Sequence, residues 1–442
     1  MQGDVTMSIE DALRIGLELH QNGHLQEAEH AYTQILKAWP ECPDALHYMG
    51  VVSHQLGTRN DAVDYIKRSL AIDPDQPNAW SNLGNVLKEE GRLDEAEAAY
   101  RNVIDLAPEH TETLNNLGVL LKNRNALDEA EVCFRKALEL KPDYGDACHN
   151  YANLLRTQKR YEEAEYFFRK AIRYMPQHAK AYEHLAKSLH EAGKRDEALE
   201  VLQEWLHFSP DHPVPKHILA SFQETAAPDR AADDYVRQVF DGFAATFDTL
   251  LLNNLKYQAP QLIGETLRRL LPEPERQYQV LDAGCGTGLC GKEVRPYANK
   301  LVGVDLSSGM LKRARKLSLY DELVEAELTQ FLEDHVGKYD LIVSADTLVY
   351  FGDLDRVFRA AYQALRPHGY LAFTLEHADE KDAPAGQRIN PHGRYSHTRG
   401  YVTHTLEMAR LTMLLQEEVH LRMERDVPVP GMLVVAGRSV EN

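Results

Sequence analysis

Pro40, Pro74, Pro108, Pro142, Pro176 and Pro210 recur every 34 residues without a slip. Twelve residues before each stands an alanine (Ala28, Ala62, Ala96, Ala130, Ala164, Ala198). Earlier still comes a small residue: Gly16, Gly50, Gly84, Gly118, Ala152 or Ala186. A fixed period of this size is the mark of one supersecondary unit copied and stacked. Proline lacks an N–H and clashes with the preceding turn, so it stops a helix. Small residues let two helices approach closely. The spacing therefore predicts six helix pairs in register, with Trp80, Tyr100, Phe134 and Phe168 filling the seams.

This pattern resembles the tetratricopeptide repeat and covers 9–225, with a shorter helix, Lys216 to Gln223, as a solvating cap. Ala226-Ala227-Pro228-Asp229 marks the boundary to a second domain over 229–442. On the first helix of three successive repeats stand Asn82, Asn116 and Asn150, with Asn85 and Asn153 one turn on and Lys88, Lys122 and Arg156 beyond. An Asn amide offers a donor and an acceptor together, which suits the backbone of an extended peptide. The set resembles the asparagine ladder in the repeats of the O-linked N-acetylglucosamine transferases, and the basic row suits a peptide carrying acidic residues. A solvated polar face copied with the repeat is the alternative.

In the second half, an apolar strand ends on Asp282 and turns at once through Gly284, Gly286 and Gly288 toward a helix. Alternate glycines remove the Cβ atoms that would hold a ligand off the backbone, and a helix N-terminus adds free amides. Asp305, at the end of the next apolar run, is placed to hold ribose hydroxyls. The dinucleotide pattern G-x-G-x-x-G is also satisfied by Gly286 to Gly291, and alone it is weak. An acid on the first strand tip, a long helical lead-in and a strand-rich chain end favour S-adenosylmethionine over a nicotinamide. The stretch Asp282-Ala283-Gly284-Cys285-Gly286-Thr287-Gly288 resembles motif I of the class I S-adenosylmethionine-dependent methyltransferases.

Strand-like runs at 278–282, 301–305, 322–326, 339–344 and 370–376 alternate with helical segments such as 308–317 and 353–365, as a parallel sheet requires. Runs at 411–419 and 431–437 close it as an antiparallel hairpin. The fold expected is a two-domain chain. An all-α tetratricopeptide solenoid precedes an α/β Rossmann-like domain with a seven-stranded, mostly parallel sheet. His368 stands where the family usually has glycine in a Pro-Gly-Gly turn, which costs little if its φ is negative.

The resemblance implies further contacts with the cofactor. Leu306, Ser307 and Met310 would flank the adenine, and Glu327-Leu328 would meet its amino group. Asp346 would hold the cofactor's amine, take a proton from the acceptor, or cap the next helix. On the acceptor side stand Tyr350, Glu376 and the polar loop Asn390 to His397, with His392, Arg394, Tyr395 and His397. Phe240, Phe243, Ala244 and Phe247 fall on one helical face ahead of motif I. Similar Phe-Asp-x-x-Ala segments close over the cofactor in several methyltransferases. Repeats, lead-in and motif I together resemble the bacterial methyltransferases with tetratricopeptide repeats. The enzyme would act on a protein or peptide held by the repeats. A small-molecule acceptor with repeats serving assembly, or a non-catalytic scaffold that only binds S-adenosylmethionine, are the other readings.

The 442 residues, 43% hydrophobic, suffice for two cores. A net charge of −19 opposes general binding to nucleic acid. No apolar run approaches the ~20 residues of a bilayer span, and Met1-Gln2-Gly3-Asp4 is no leader, so a cytoplasmic protein without a membrane partner is expected. Cys42, Cys133, Cys148, Cys285 and Cys290 have no paired spacing, so neither disulfides nor a metal site is expected. Cys133 and Cys148 read as packing residues.

Overall fold

The computed structural model describes residues 8–223, 228–244, 247–249, 251, 255–271, 275–424 and 427–439. Met1 to Asp4, Ala226-Ala227 of the expected boundary and Ala245-Thr246 of the lead-in lie outside them. Contacts divide the chain into Met1–Val201 and Leu202–Asn442.

The first unit is built from helix pairs: α1 (Ile9–Gln21) with α2 (Leu25–Ala38), α3 (Pro43–Leu56) with α4 (Arg59–Ile72), α5 (Pro77–Glu89) with α6 (Leu93–Leu106), α7 (Thr111–Asn123) with α8 (Leu127–Leu140), α9 (Gly145–Thr157) with α10 (Tyr161–Tyr174), and α11 (Ala179–Glu191) with the start of α12 (Arg195–Phe208). The small residues of the period sit where helices touch. A Cβ on Gly84 would stand 2.5 Å from the Tyr100 ring, and one on Gly118 would stand 2.7 Å from Phe134. Tyr32, Tyr100, Phe134 and Phe168 are wholly buried. Trp80 departs from expectation: it is half-exposed, and its indole N–H donates to the Pro74 carbonyl at 2.8 Å. It stands on the first helix of its pair, whereas the seam aromatics stand on the second.

In the second unit, α13 (Pro213–Gln223) is followed by α14 (Asp233–Phe243), the short turn α15 (Phe247–Thr249) and α16 (Ala259–Leu270). The sheet is built from β1 (Tyr278–Ala283), β2 (Ala298–Asp305), β3 (Glu322–Glu325), β4 (Tyr339–Ser344), β5 (Leu365–His377), β6 (Gln387–Ile389), β7 (Tyr395–His397), β8 (Leu411–Glu424) and β9 (Val427–Arg438). Strands β3-β2-β1-β4-β5 run parallel, β9 adds antiparallel to β5, and β8 pairs with β9. These are the seven strands expected; β6 and β7 are additional. They form a hairpin whose turn and second strand are the polar loop Asn390 to His397, and β7 pairs with the end of β5 through Glu376 and His377.

Apolar clusters cover both faces of the sheet, as parallel strands require. The helices between strands are α17 (Gly291–Val294), α18 (Ser308–Lys316), α19 (Leu328–Glu333), α20 (Asp355–Ala364) and α21 (Arg399–Met408). The helix after the glycine loop is thus a single turn, because Pro296 follows and the chain passes into a 3-10 turn at Arg295–Tyr297. The loop spends its own amides internally: Gly284 and Cys285 donate to the Val304 carbonyl, Gly286 to Asp305 and Gly288 to the Cys285 carbonyl. His368 has φ +63°, the left-handed region, so the condition under which it would cost little is not met. A non-glycine residue there carries a cost of about 1 kcal/mol.

The expected solvating cap is not solvated. Val214, His217, Ile218 and Phe222 of α13 are buried. The His217 ring stacks on Tyr235 at 3.9 Å, and its Nε2 lies 2.7 Å from the Gly393 carbonyl in the β6–β7 turn. Among the described residues no helix is long and apolar enough to cross a membrane, and no group of three or more His, Cys, Asp or Glu is placed to hold a metal ion. The five cysteines are free and buried.

Candidate active site

A cavity enclosing about 1180 Å³ of empty space, its open mouth included, opens over the C-terminal ends of β1, β2 and β4. This is where open α/β sheets place ligands. Its floor carries Gly284, Cys285, Gly286, Asp305, Leu306, Glu327, Leu328, Asp346 and Tyr350. Gly284 has φ +78°, and a Cβ there would stand 2.0 Å from Thr347 Oγ1, so the loop closes against the end of β4 only as glycine. Gly286 has open space where its Cβ would be, and its N–H donates to Asp305 Oδ2 at 2.9 Å. The other Asp305 oxygen accepts from the Ser307 N–H at 2.8 Å. A carboxylate accepts about four hydrogen bonds, so Asp305 keeps capacity toward the cavity. Burial raises its carboxyl above the ordinary range. Glu327 accepts from the Thr329 and Gln330 amides at 3.0 and 2.8 Å and so caps α19.

Four residues expected around the cofactor lie behind the wall, among them Ser307, which is wholly buried with its hydroxyl on Asp241. Asp282 is wholly buried and accepts the Tyr320 hydroxyl at 2.6 Å. Burial pushes its carboxyl up to about 7. A Cβ on Gly288 would meet Leu317 and Tyr320, and Met310 is buried in the core. The signal missed for Asp282 was Tyr320, which stands 38 residues away and fills the space that the glycines vacate.

The cavity's roof comes from the lead-in. Phe240, Phe247, Leu251 and Leu255 line it. Two carboxylates fasten it. Asp241 Oδ1 accepts from Ser307 Oγ at 2.5 Å and the Gly309 N–H at 3.1 Å, and Asp248 Oδ1 accepts from Thr287 Oγ1 at 2.5 Å. The paired Phe-Asp dipeptides seven residues apart carried this signal in the sequence.

At the other end the acceptor-side residues separate. Asp346 lines the cavity at φ +53°. It does not cap the following turn: its Oδ2 accepts from Arg422 Nη1 at 2.9 Å, and its N–H donates to Thr374 Oγ1 at 2.9 Å. Burial raises its carboxyl, and Arg422 opposes the rise. Arg422, on the bulged part of β8, also meets Glu376 and donates through Nε to Glu424 at 2.9 Å. Arg394 meets Glu424 as well and stands 2.8 Å from Glu376 Oε1. Burial pushes Glu376 up, but Arg394, His392 and Arg422 more than offset it and hold the group below its usual range. Arg422 is 2% exposed, and nothing local in its strand announces it.

His392, Tyr395 and His397 are not on the cavity wall. Tyr395 is wholly buried and donates to the Pro228 carbonyl at 2.7 Å. His397 is wholly buried, with Nε2 3.1 Å from the Gly352 carbonyl, and burial lowers its imidazole to about 4. Both hold the β6–β7 hairpin in place. The His392 ring sits 3.5 Å from Glu376, and its Nδ1 accepts the Arg394 N–H at 3.3 Å.

The asparagine row is likewise occupied. Asn82 Nδ2 lies 2.8 Å from His47 Nε2, Asn116 Nδ2 donates to Asn85 Oδ1 at 3.1 Å, and Asn150 Nδ2 donates to Asn115 Oδ1 at 2.9 Å. Asn85 Oδ1 also accepts the Tyr100 hydroxyl, and Asn153 bonds within its own helix to His149. These amides stitch one repeat to the next instead of standing free. Arg156 pairs with Glu191 at 3.4 Å. Burial lowers the Lys88 and Lys122 ammoniums.

Residues 255–412 match a family described as a methyltransferase domain. Residues 13–77, 75–143, 124–173 and 155–221 match tetratricopeptide repeat families. Human methyltransferase-like protein 27 is 36% identical over 111 residues, 25% of this chain and 45% of that protein. The carboxy-S-adenosyl-L-methionine synthase of Wolinella succinogenes is 28% identical over 165 residues, 36% of this chain and 69% of that one. A malonyl-[acyl-carrier protein] O-methyltransferase of Enterobacter lignolyticus is 34% identical over 107 residues, 24% and 42%. The chain thus spans less than half the length of the human and Enterobacter proteins. With its helix pairs matching one family and the cavity-bearing sheet the other, the chain is a tetratricopeptide-repeat protein that carries a class I S-adenosylmethionine-dependent methyltransferase domain.

Proposed function

We propose that the chain transfers a methyl group from S-adenosylmethionine to a protein or peptide recruited by its repeats. The observation that carries the enzymatic part is Asp305. It lines the cavity and holds the Gly286 amide, yet keeps acceptor capacity for ribose hydroxyls. Leu306 and Leu328 would flank the adenine, and Glu327 would accept from its amino group. The Gly284 to Gly286 backbone would face the amino-acid end. Bound there, the cofactor supplies a methyl group activated on a sulfonium. The chain's own work is to orient the acceptor and exclude water, which the Phe240, Phe247 and Leu251 roof does.

Recruitment is supported by Lys88 and Lys122, partly buried ammoniums that make no ion pair among the described residues. An acidic segment would relieve both. A small-molecule acceptor is the second reading, and the enclosed apolar roof favours it.

Calorimetry on the full chain tests the cofactor site. S-adenosylhomocysteine should bind and NAD should not, and Asp305→Ala should weaken binding by about 1 to 3 kcal/mol. Tight NAD binding, or unchanged affinity in the variant, sinks the assignment.

A further inference from the structure

At the Asp346 end of the cavity the hydrogen-bond inventory is unbalanced. Arg422 spends all three of its nitrogens on Asp346, Glu376 and Glu424. Arg394 lines the same cavity and is less fully engaged. One Nη meets Glu424, and its Nε is near Glu376 without hydrogen-bond alignment. Its Nη1 makes no hydrogen bond among the described residues. Two phenols of the same wall, Tyr257 and Tyr350, also have hydroxyls without a partner there, although Tyr257 is only 8% exposed. Asp346 is the carboxylate that this end of the wall presents, and Arg422 and Thr374 already serve it. The Arg394 Nη1 and the two hydroxyls are therefore donors on this wall that the described residues leave unused. A guanidinium N–H beside two hydroxyls suits a group with several lone pairs and a negative charge.

We propose that Arg394, with Tyr350 and Tyr257, forms a carboxylate-binding subsite at the inner end of the cavity. The proposal rests on the methyltransferase reading and names what that site holds. The carboxylate belongs either to the amino-acid end of the cofactor or to the methyl acceptor. In the second case an acceptor oxygen forms the new O–C bond while the C–S bond breaks and its electron pair stays on sulfur. Carboxylate and sulfonium both become neutral, no proton moves, and no general base is needed, since a carboxylate is already ionised at neutral pH.

Two measurements on the full chain and on Arg394→Gln and Tyr350→Phe separate the sources. The first is equilibrium dialysis with S-adenosylhomocysteine. The second is transfer from methyl-labelled S-adenosylmethionine into cell extract, followed by alkali, which releases methyl esters as volatile methanol and leaves methylated amines, ethers and thioethers intact. If the cofactor's carboxylate is held, Arg394→Gln weakens S-adenosylhomocysteine by about 10- to 100-fold and Tyr350→Phe by about 2- to 12-fold. If the acceptor's is held, that affinity is unchanged, the product is alkali-labile, and the extract dose for half-maximal labelling rises by those factors. Unchanged affinity together with alkali-stable label, or with unaltered labelling in both variants, overturns the subsite. A wild-type chain that neither binds S-adenosylhomocysteine nor transfers label overturns the methyltransferase reading itself.

Discussion

Arg422 Nη1 stands 2.9 Å from Asp346 Oδ2, joining the hairpin strand β8 to the end of β4 across 76 residues of chain. The Arg422 side chain is 2% exposed and that of Asp346 16%, so water compensates little of either charge when the other is removed.

Arg422→Met should therefore destabilise the chain by roughly 3 to 5 kcal/mol, since Asp346, Glu376 and Glu424 all lose a partner. Urea unfolding at neutral pH reads this. A loss under about 1 kcal/mol would mean that the carboxylates find solvent or protons at little cost.

Asp282 gives stability a pH dependence of definite sign. Its folded carboxyl is held near 7 by burial, against about 4 in the unfolded chain. Between those values the folded chain keeps a proton that the unfolded chain has shed. Stability carried by this group is complete below about pH 4 and is lost as pH rises to about 7. Asp282→Asn cannot ionise, and its amide oxygen still accepts the Tyr320 hydroxyl. Unfolding curves for both proteins across this range should diverge by roughly 2 to 4 kcal/mol in the variant's favour. A difference that does not change with pH removes the buried carboxyl from the account.

Features that repeat in sequence were the legible ones. Ala28 and its five copies announce buried contacts because each copy sits at the same depth, and the alternation of apolar runs with helices announces the parallel sheet. Asp305, Gly284 and Gly286 were legible because backbone geometry ties glycine and a strand-end acid to fixed places. Arg422 was not, since a pairing across 76 residues leaves no local period. Polar residues at a repeated position look alike whether they face solvent or the next repeat, which hid the partners of Asn82, Asn116 and Asn150. His392 and His397 read as chemical groups because a polar loop was expected. The loop folds as a hairpin, and pairing turns His397 inward.

The asparagine bonds change what substitution there should do. Replacing Asn82, Asn116 and Asn150 together with Ala removes three contacts between adjacent repeats, each worth about 0.5 to 1.5 kcal/mol. An exposed polar row would tolerate the change. The triple variant should instead unfold at lower temperature than wild type, as circular dichroism at 222 nm, the usual helix signal, would follow. Unaltered melting would return these residues to the role of free surface amides.

The last prediction concerns where the catalytic unit begins. A fragment of residues 229–442 contains every strand of the sheet, but it lacks α13 and with it the His217 bond to the Gly393 carbonyl and the stack on Tyr235. Gly393 immediately precedes Arg394, which lines the cavity, so the missing helix supports the turn that carries that side chain. We expect residues 202–442 to fold and bind S-adenosylhomocysteine like the full chain. The 229–442 fragment should melt lower, with tyrosines and apolar side chains uncovered where Ile218 and Phe222 packed. His217→Ala in the full chain isolates the contact. It should cost about 1 to 3 kcal/mol in stability through the lost hydrogen bond and ring stack. Should the 229–442 fragment match the longer one in melting temperature and in affinity, α13 belongs to the repeats alone, and the position of Arg394 is set from within the hairpin.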